Sequence, residues 1–288
     1  HDALPIFKEK PGRDSELRCA FHGFAWNLDG SLKHVPCKWD FPQVTDDWTL
    51  PEVRVDTWGG FVFVNLSGDA APLSGKLAKL ADRFVGKWNM ADGEMVWSAH
   101  WDCPFNWKIL VENFMEAYHH LGAHMKTLEP FLPARGCWTE PFDPDFSAMH
   151  LPLKDRMQDE IRNAGRADTP FPIFPGLGLD DCLEWSIYLA YPNFLLFNAP
   201  DRIYWYRILP TGPETSSLVT TMIVSAEARK LADFETILQR EIQAGIDIDR
   251  QNDNGATCLM YVASNSKPDL VSLLLERGAN PRLANHDD

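Results

Sequence analysis

The segment 106–124, NWKILVENFMEAYHHLGAH, constrains this chain more than any other. It sets three histidines, His119, His120 and His124, beside the hydrophobic positions Ile109, Phe114 and Tyr118, with Glu112 and Glu116 just upstream. Neutral imidazole plus carboxylate suits a redox-active divalent metal. Two histidines and one carboxylate on one face leave positions open for oxygen chemistry at ferrous iron. Glu112, Glu116 and His120 also fall four apart, as a solvated helical stripe would. The density of histidines tilts the segment toward a metal site. On an ideal helix His120 and His124 share a face, whereas His119 and His124 are splayed by about 140°. Gly122 is a poor helix-interior residue, and a helix ending there would swing His124 back toward His119. The residues alone leave both pairs open.

A chain of 288 residues can build a substantial core and more than one domain. Its net charge of −14 argues against a nucleic-acid phosphate backbone as partner. No apolar run reaches the roughly 20 residues of a membrane span. The opening HDALPIF shows neither a basic n-region nor an apolar h-region. The six cysteines are scattered rather than set in a small secreted framework, which points to a reducing cytoplasm.

Residues 15–66 read as mostly β, with turns at Asp29-Gly30 and Gly59-Gly60; Val53, Val55, Thr57, Val62 and Val64 alternate as in a hairpin. Within this region, in RCAFHGFAWNLDG, Cys19 and His22 have the spacing of half a metal-binding knuckle. Residues 76–88 predict an amphipathic connecting helix (Leu77, Leu80, Phe84, Val85), and 94–101 a strand leading into the histidine segment. The runs EWSIYLAYPNFLLFN, DRIYWYRILP and SLVTTMIVSAE predict strands across 183–226, with turns at Pro192, Asp201 and Gly212. Trp185, Tyr188, Phe194, Phe197, Tyr204 and Trp205 line either an apolar pocket or plain sheet core. Residues 125–182, rich in Pro and Gly, read as long loops forming a lid, and 234–244 as an amphipathic helix.

Two motifs carry a resemblance. ENFMEAYHHLGAH resembles the iron motif of Rieske non-haem iron oxygenases, the catalytic subunits of aromatic-ring and quaternary-amine oxygenases; CAFHGF with Trp26, Asp29 and Gly30 resembles the second loop of their [2Fe–2S] domain. The resemblance makes His119 and His124 the ligands of a mononuclear Fe2+, with His120 second choice. It makes Glu116 the carboxylate linking this iron to a neighbouring subunit's cluster histidine, and Asn113 a polar residue near the iron. A third ligand, an aspartate, follows the last helix: Asp253, with Asp249 and Asp247 as alternatives. Cys19 and His22 would hold half of a [2Fe–2S] cluster, whose mixed Cys and His ligation raises its potential. No Cys precedes Cys19 to supply the family's upstream Cys-x-His. The expectation is therefore a chain incomplete at its N-terminus.

The implied fold class is α+β: a partial Rieske β-domain over 1–75, then a helix-grip catalytic domain over 76–245, its curved antiparallel sheet wrapped on a helix. Residues 246–288 resemble one ankyrin repeat through Asp253, Gly255, Thr257, Leu259, Ala263, Val271, Leu274, Leu275, Gly278 and Ala279. A single such repeat must lean on a neighbour to bury its apolar face. The implied activity is oxygenation of an aromatic or polycyclic substrate with O2, as a homotrimer fed by a ferredoxin or reductase. A quaternary amine caged by aromatics is the runner-up substrate. Two other classes compete: an inactive oxygenase segment serving as a binding scaffold, and a hydrolytic zinc site, which has ligands but no evident general base.

Overall fold

The computed structural model describes residues 15–246, except the side chains of 82–86 and 243–246. His1, Asp247, Asp249, Asp253 and the ankyrin-like tail lie outside the described residues. Two compact units divide the chain, 1–58 with 62–72 and 59–61 with 73–288.

In the first unit β1 (Leu17–Arg18), β2 (Ala25–Trp26) and β3 (Leu32–His34) form a three-stranded antiparallel meander. The β2–β3 turn closes where Gly30, at φ 84°, donates its N–H to the Asn27 carbonyl at 2.9 Å. The Asp29 carboxylate accepts from the Ser31 N–H at 2.9 Å, an Asx turn. β4 (Arg54–Trp58) pairs with β5 (Phe61–Asn65) across Gly59-Gly60, both at positive φ, as a tight hairpin requires. Val55, Val62 and Val64 alternate as expected yet remain exposed; a two-stranded ribbon has no second layer of its own.

The second unit runs α1 (Leu73–Trp88), β6 (Glu94–Cys103), α2 (Trp107–Phe114), β7 (Trp138–Thr139), β8 (Phe146–Pro152), α3 (Asp155–Ala164), β9 (Glu184–Ala190), β10 (Phe194–Ala199), β11 (Arg202–Gly212), β12 (Thr215–Val224) and α4 (Phe234–Ile246). Its antiparallel sheet has seven strands in the order β6-β12-β11-β10-β9-β8-β7. Trp185, Ile187 and Leu189 line one face with Leu195 and Phe197, and Phe197 sits opposite Tyr204, Leu195 opposite Tyr206, and Ile208 opposite Leu218. Against this inner face pack Trp107, Leu110, Val111 and Phe114 of α2, spaced i, i+3, i+4, i+7. Phe234 and Leu238 of α4 pack with Met222 and Val224. The sheet grips both helices.

One expectation fails here. Residues 125–182 are not only loops, since they hold β7, β8 and α3. The sequence FSAMHLP is too short and too evenly buried to show a period, so a core strand reads like loop. The six aromatics, read as lining either a pocket or plain sheet core, divide between the two faces of the sheet. Trp185, Phe197 and Tyr204 lie on the inner face; by strand alternation Tyr188, Phe194 and Trp205 point to the other. Tyr206, not foreseen, takes a central inner position.

At the β10–β11 turn, buried Arg202 pairs with Asp201 at 3.0 Å and Glu241 of α4 at 2.8 Å. The Phe171 N–H also donates to Asp201, at 3.2 Å. This network ties α4 to the sheet. Burial opposes the Arg202 charge, but the Asp201 carboxylate outweighs it and raises the guanidinium above its ordinary value.

Candidate metal centre

α2 begins where the Asn106 side chain accepts the Lys108 N–H, an N-cap. It ends at Phe114, eight residues before Gly122. The expected break at Gly122 is thus preceded by an earlier one, and Glu116 supplies its cause. Its carboxylate takes the His119 backbone N–H at 3.1 Å, a donor that a continuing helix would have used internally. The Phe114 ring, 4.3 Å from that of Tyr206, fixes the helix end against the sheet. His119 and His120 then ride on a 3-10 turn, Tyr118–Leu121, and His124 follows in the turn beyond it. Ile109 and Tyr118 are 54% and 81% exposed, so neither belongs to the buried stripe.

Unwinding rearranges the imidazoles. The His119 and His124 rings lie 5.2 Å apart between centroids at 69°, and His120 is 5.0 Å from His119 and 5.9 Å from His124. Each ring has its Nδ1 engaged: His119 by Glu116 Oε1 at 2.5 Å, His120 by the Leu132 carbonyl at 3.0 Å, His124 by Thr127 Oγ1 at 2.8 Å. Nε2 is then the atom through which any of them would ligate a metal. His120 is buried, and that desolvation holds its imidazole below the ordinary value despite the Leu132 carbonyl. Burial of Glu116 works against its charge, but hydrogen bonds from the His119 ring and backbone prevail and keep the carboxyl below its usual range.

Glu116 remains 43% exposed at its side chain. It borders an open groove of about 680 Å³ that includes Tyr118, Leu121, Arg135, Cys137 and Trp138. Asn113 is exposed on α2. Among the described residues, no group of three or more His, Cys, Asp or Glu is gathered to hold a metal ion. The two imidazoles supply nitrogen donors of the right kind for iron, and the carboxylate candidates Asp247, Asp249 and Asp253 lie outside the described residues. Thr127 was not anticipated, although the spacing H-x-x-T mirrors E-x-x-H and could have marked it.

In the first unit, Cys19 and His22 sit in the β1–β2 loop. It is closed by the Cys19 N–H donating to the Phe24 carbonyl at 2.8 Å and the Gly23 N–H to the Cys19 carbonyl at 2.9 Å. Backbone N–H groups of His22 and Phe21 point at the Cys19 sulfur and lower its thiol below the ordinary value. His22 is exposed, its ring 3.9 Å from that of Phe21. A thiolate cradled by amides suits an iron–sulfur ligand. Among the described residues no helix is long and apolar enough to cross a membrane.

Residues 90–267 match the family described as ring hydroxylating alpha subunit (catalytic domain), and residues 254–286 match the ankyrin repeat. The glycine betaine monooxygenase oxygenase subunit of Chromohalobacter salexigens is 23% identical over 91% of this chain and 65% of its own length. The biphenyl 2,3-dioxygenase alpha subunit of Rhodococcus jostii is 27% identical over 46% of this chain and 30% of its own. The chain therefore spans less than two thirds of either relative. The naphthalene 1,2-dioxygenase structure from Rhodococcus sp. bound to indole superposes with a TM-score of 0.63 at 16% identity, over 97% of this chain and 72% of that one, a likeness of fold. Taken with the gripped antiparallel sheet and the unwound histidine segment, the match over 90–267 makes this chain a member of the ring-hydroxylating alpha-subunit family, the catalytic subunits of Rieske oxygenases.

Proposed function

We propose that this chain is the oxygenase component of a Rieske-type system, hydroxylating an aromatic or polycyclic substrate at a mononuclear Fe2+ held by His119 and His124. The observation that carries the reading is the 5.2 Å approach of these two rings, each with Nδ1 already engaged. Asp253 is the proposed third ligand, ahead of Asp249 and Asp247. When bound, the iron supplies the oxygen-activating redox chemistry. Glu116 holds the proton at His119 Nδ1 and fixes the ring's orientation; its exposed side is where a neighbouring subunit's cluster histidine would dock. Phe114, Phe197, Tyr204 and Tyr206 form a wall that would exclude water from the reaction. Cys19 and His22 would provide half the ligands of a [2Fe–2S] centre receiving electrons from a ferredoxin or reductase, in a homotrimer working in the cytoplasm.

A quaternary-amine substrate is the second reading. It is favoured by the extent of the match to a glycine betaine monooxygenase subunit and by the aromatic faces, which attract cations. Metal analysis of the purified chain tests the site. We expect iron near one per chain, lost when His119→Ala and His124→Ala are combined; unchanged iron in that variant would overturn the assignment. Perturbation of the ferrous site by biphenyl or by glycine betaine decides between the substrates.

A further inference from the structure

The two proposed iron-binding imidazoles are braced by local brackets of opposite direction and different charge. Glu116 lies three residues before His119 and engages both its ring and its backbone N–H. Thr127 lies three residues after His124, its Oγ1 2.8 Å from the ring Nδ1. A turn delivers that hydroxyl to the ring: the N–H groups of Thr127, Leu128 and Glu129 all donate to the His124 carbonyl, at 3.1, 3.0 and 3.0 Å. A β-branched threonine is stiff at χ1, so the turn also sets the hydroxyl's direction. Ligation through Nε2 requires the proton on Nδ1, and a hydroxyl oxygen can accept it. A neutral hydroxyl is a weaker acceptor than a carboxylate, and a ring's partner tunes its basicity as a ligand.

We propose that Thr127 is the positioning residue of His124: its hydroxyl holds the ring with the proton on Nδ1, directs Nε2 to the metal, and leaves His124 the weaker of two unequal nitrogen donors. This rests on the metal site proposed above. The probe is Co2+ titrated into the full-length chain and followed by its visible ligand-field bands. Thr127→Val should weaken Co2+ binding about 10–100-fold, while Thr127→Ser keeps the parental affinity. Nitrogen NMR of the metal-free protein should show His124 shifting toward the Nε2-protonated tautomer in Thr127→Val alone. Parental affinity and tautomer in Thr127→Val would overturn the proposal, as would Thr127→Ser weakened equally, which would assign the effect to methyl packing. If Thr127→Val does not fold, Thr127→Ala replaces it under the same criteria. A parent that takes up no Co2+ overturns the metal site together with this inference; a parent that binds while Thr127→Val matches it overturns this inference alone.

Discussion

Two loops of this molecule carry ligand-type side chains, and they are built differently. The histidine segment of the second unit lies on a sheet core, and each imidazole is oriented by a second group: a carboxylate, a hydroxyl or a carbonyl. The Cys19–His22 loop is organised by its own backbone amides, with His22 and Phe21 exposed. The first arrangement fixes its rings through protein partners. The second fixes a sulfur through backbone amides.

The sharpest way to break this contrast is to remove the core beneath the histidines. Leu132 is fully buried, and its carbonyl engages His120. Leu132→Ala should cost about 2–5 kcal/mol in urea denaturation. It should also weaken metal uptake by the histidine segment, and a variant of parental stability would show that the loop does not depend on its support. Next in size, Glu116→Ala removes the partner of His119 and should lower metal affinity about 10–100-fold by titration. An unchanged value would deny that His119 needs its carboxylate.

The smallest effect concerns the thiols. Only the thiolate is alkylated, and its fraction rises with pH. Cys19, lowered below the ordinary thiol value by the amides of His22 and Phe21, should react with iodoacetamide at a lower pH than Cys103, Cys137 and Cys182, which burial raises. Cys137, pushed up to about 11 by burial, should react last. Peptide mass spectrometry across a pH series reads both; equal rates would remove the claim that the loop is organised at its sulfur.

Much of the frame was legible from the chain. The strand runs of 183–226 announced themselves by length and turn residues, and E-x-x-H-x-x-x-x-H drew attention to the stretch where the imidazoles cluster. What stayed hidden depended on competition between groups. The expected helix end lay at Gly122, because nothing in a helical pattern reveals that the Glu116 side chain will claim the His119 N–H. Which aromatics share the inner face stayed unread because strands reverse at Asn193 and Asp201. Only the register tells that Tyr206, and not Trp205, lies beside Phe114. Strand β8 and helix α3 were missed inside a stretch whose Pro and Gly content suggested loop.

The early ending of α2 bears on how such a chain can change. Both proposed nitrogen donors and their braces lie between Phe114 and Leu132, while the proposed acid donors Asp247, Asp249 and Asp253 follow α4 and precede the stretch 254–267 where the oxygenase match and the ankyrin match overlap. The proposed nitrogen donors are thus encoded as a short cassette. The proposed acid donor is encoded more than 100 residues downstream, so a change there leaves the histidine cassette and its braces intact.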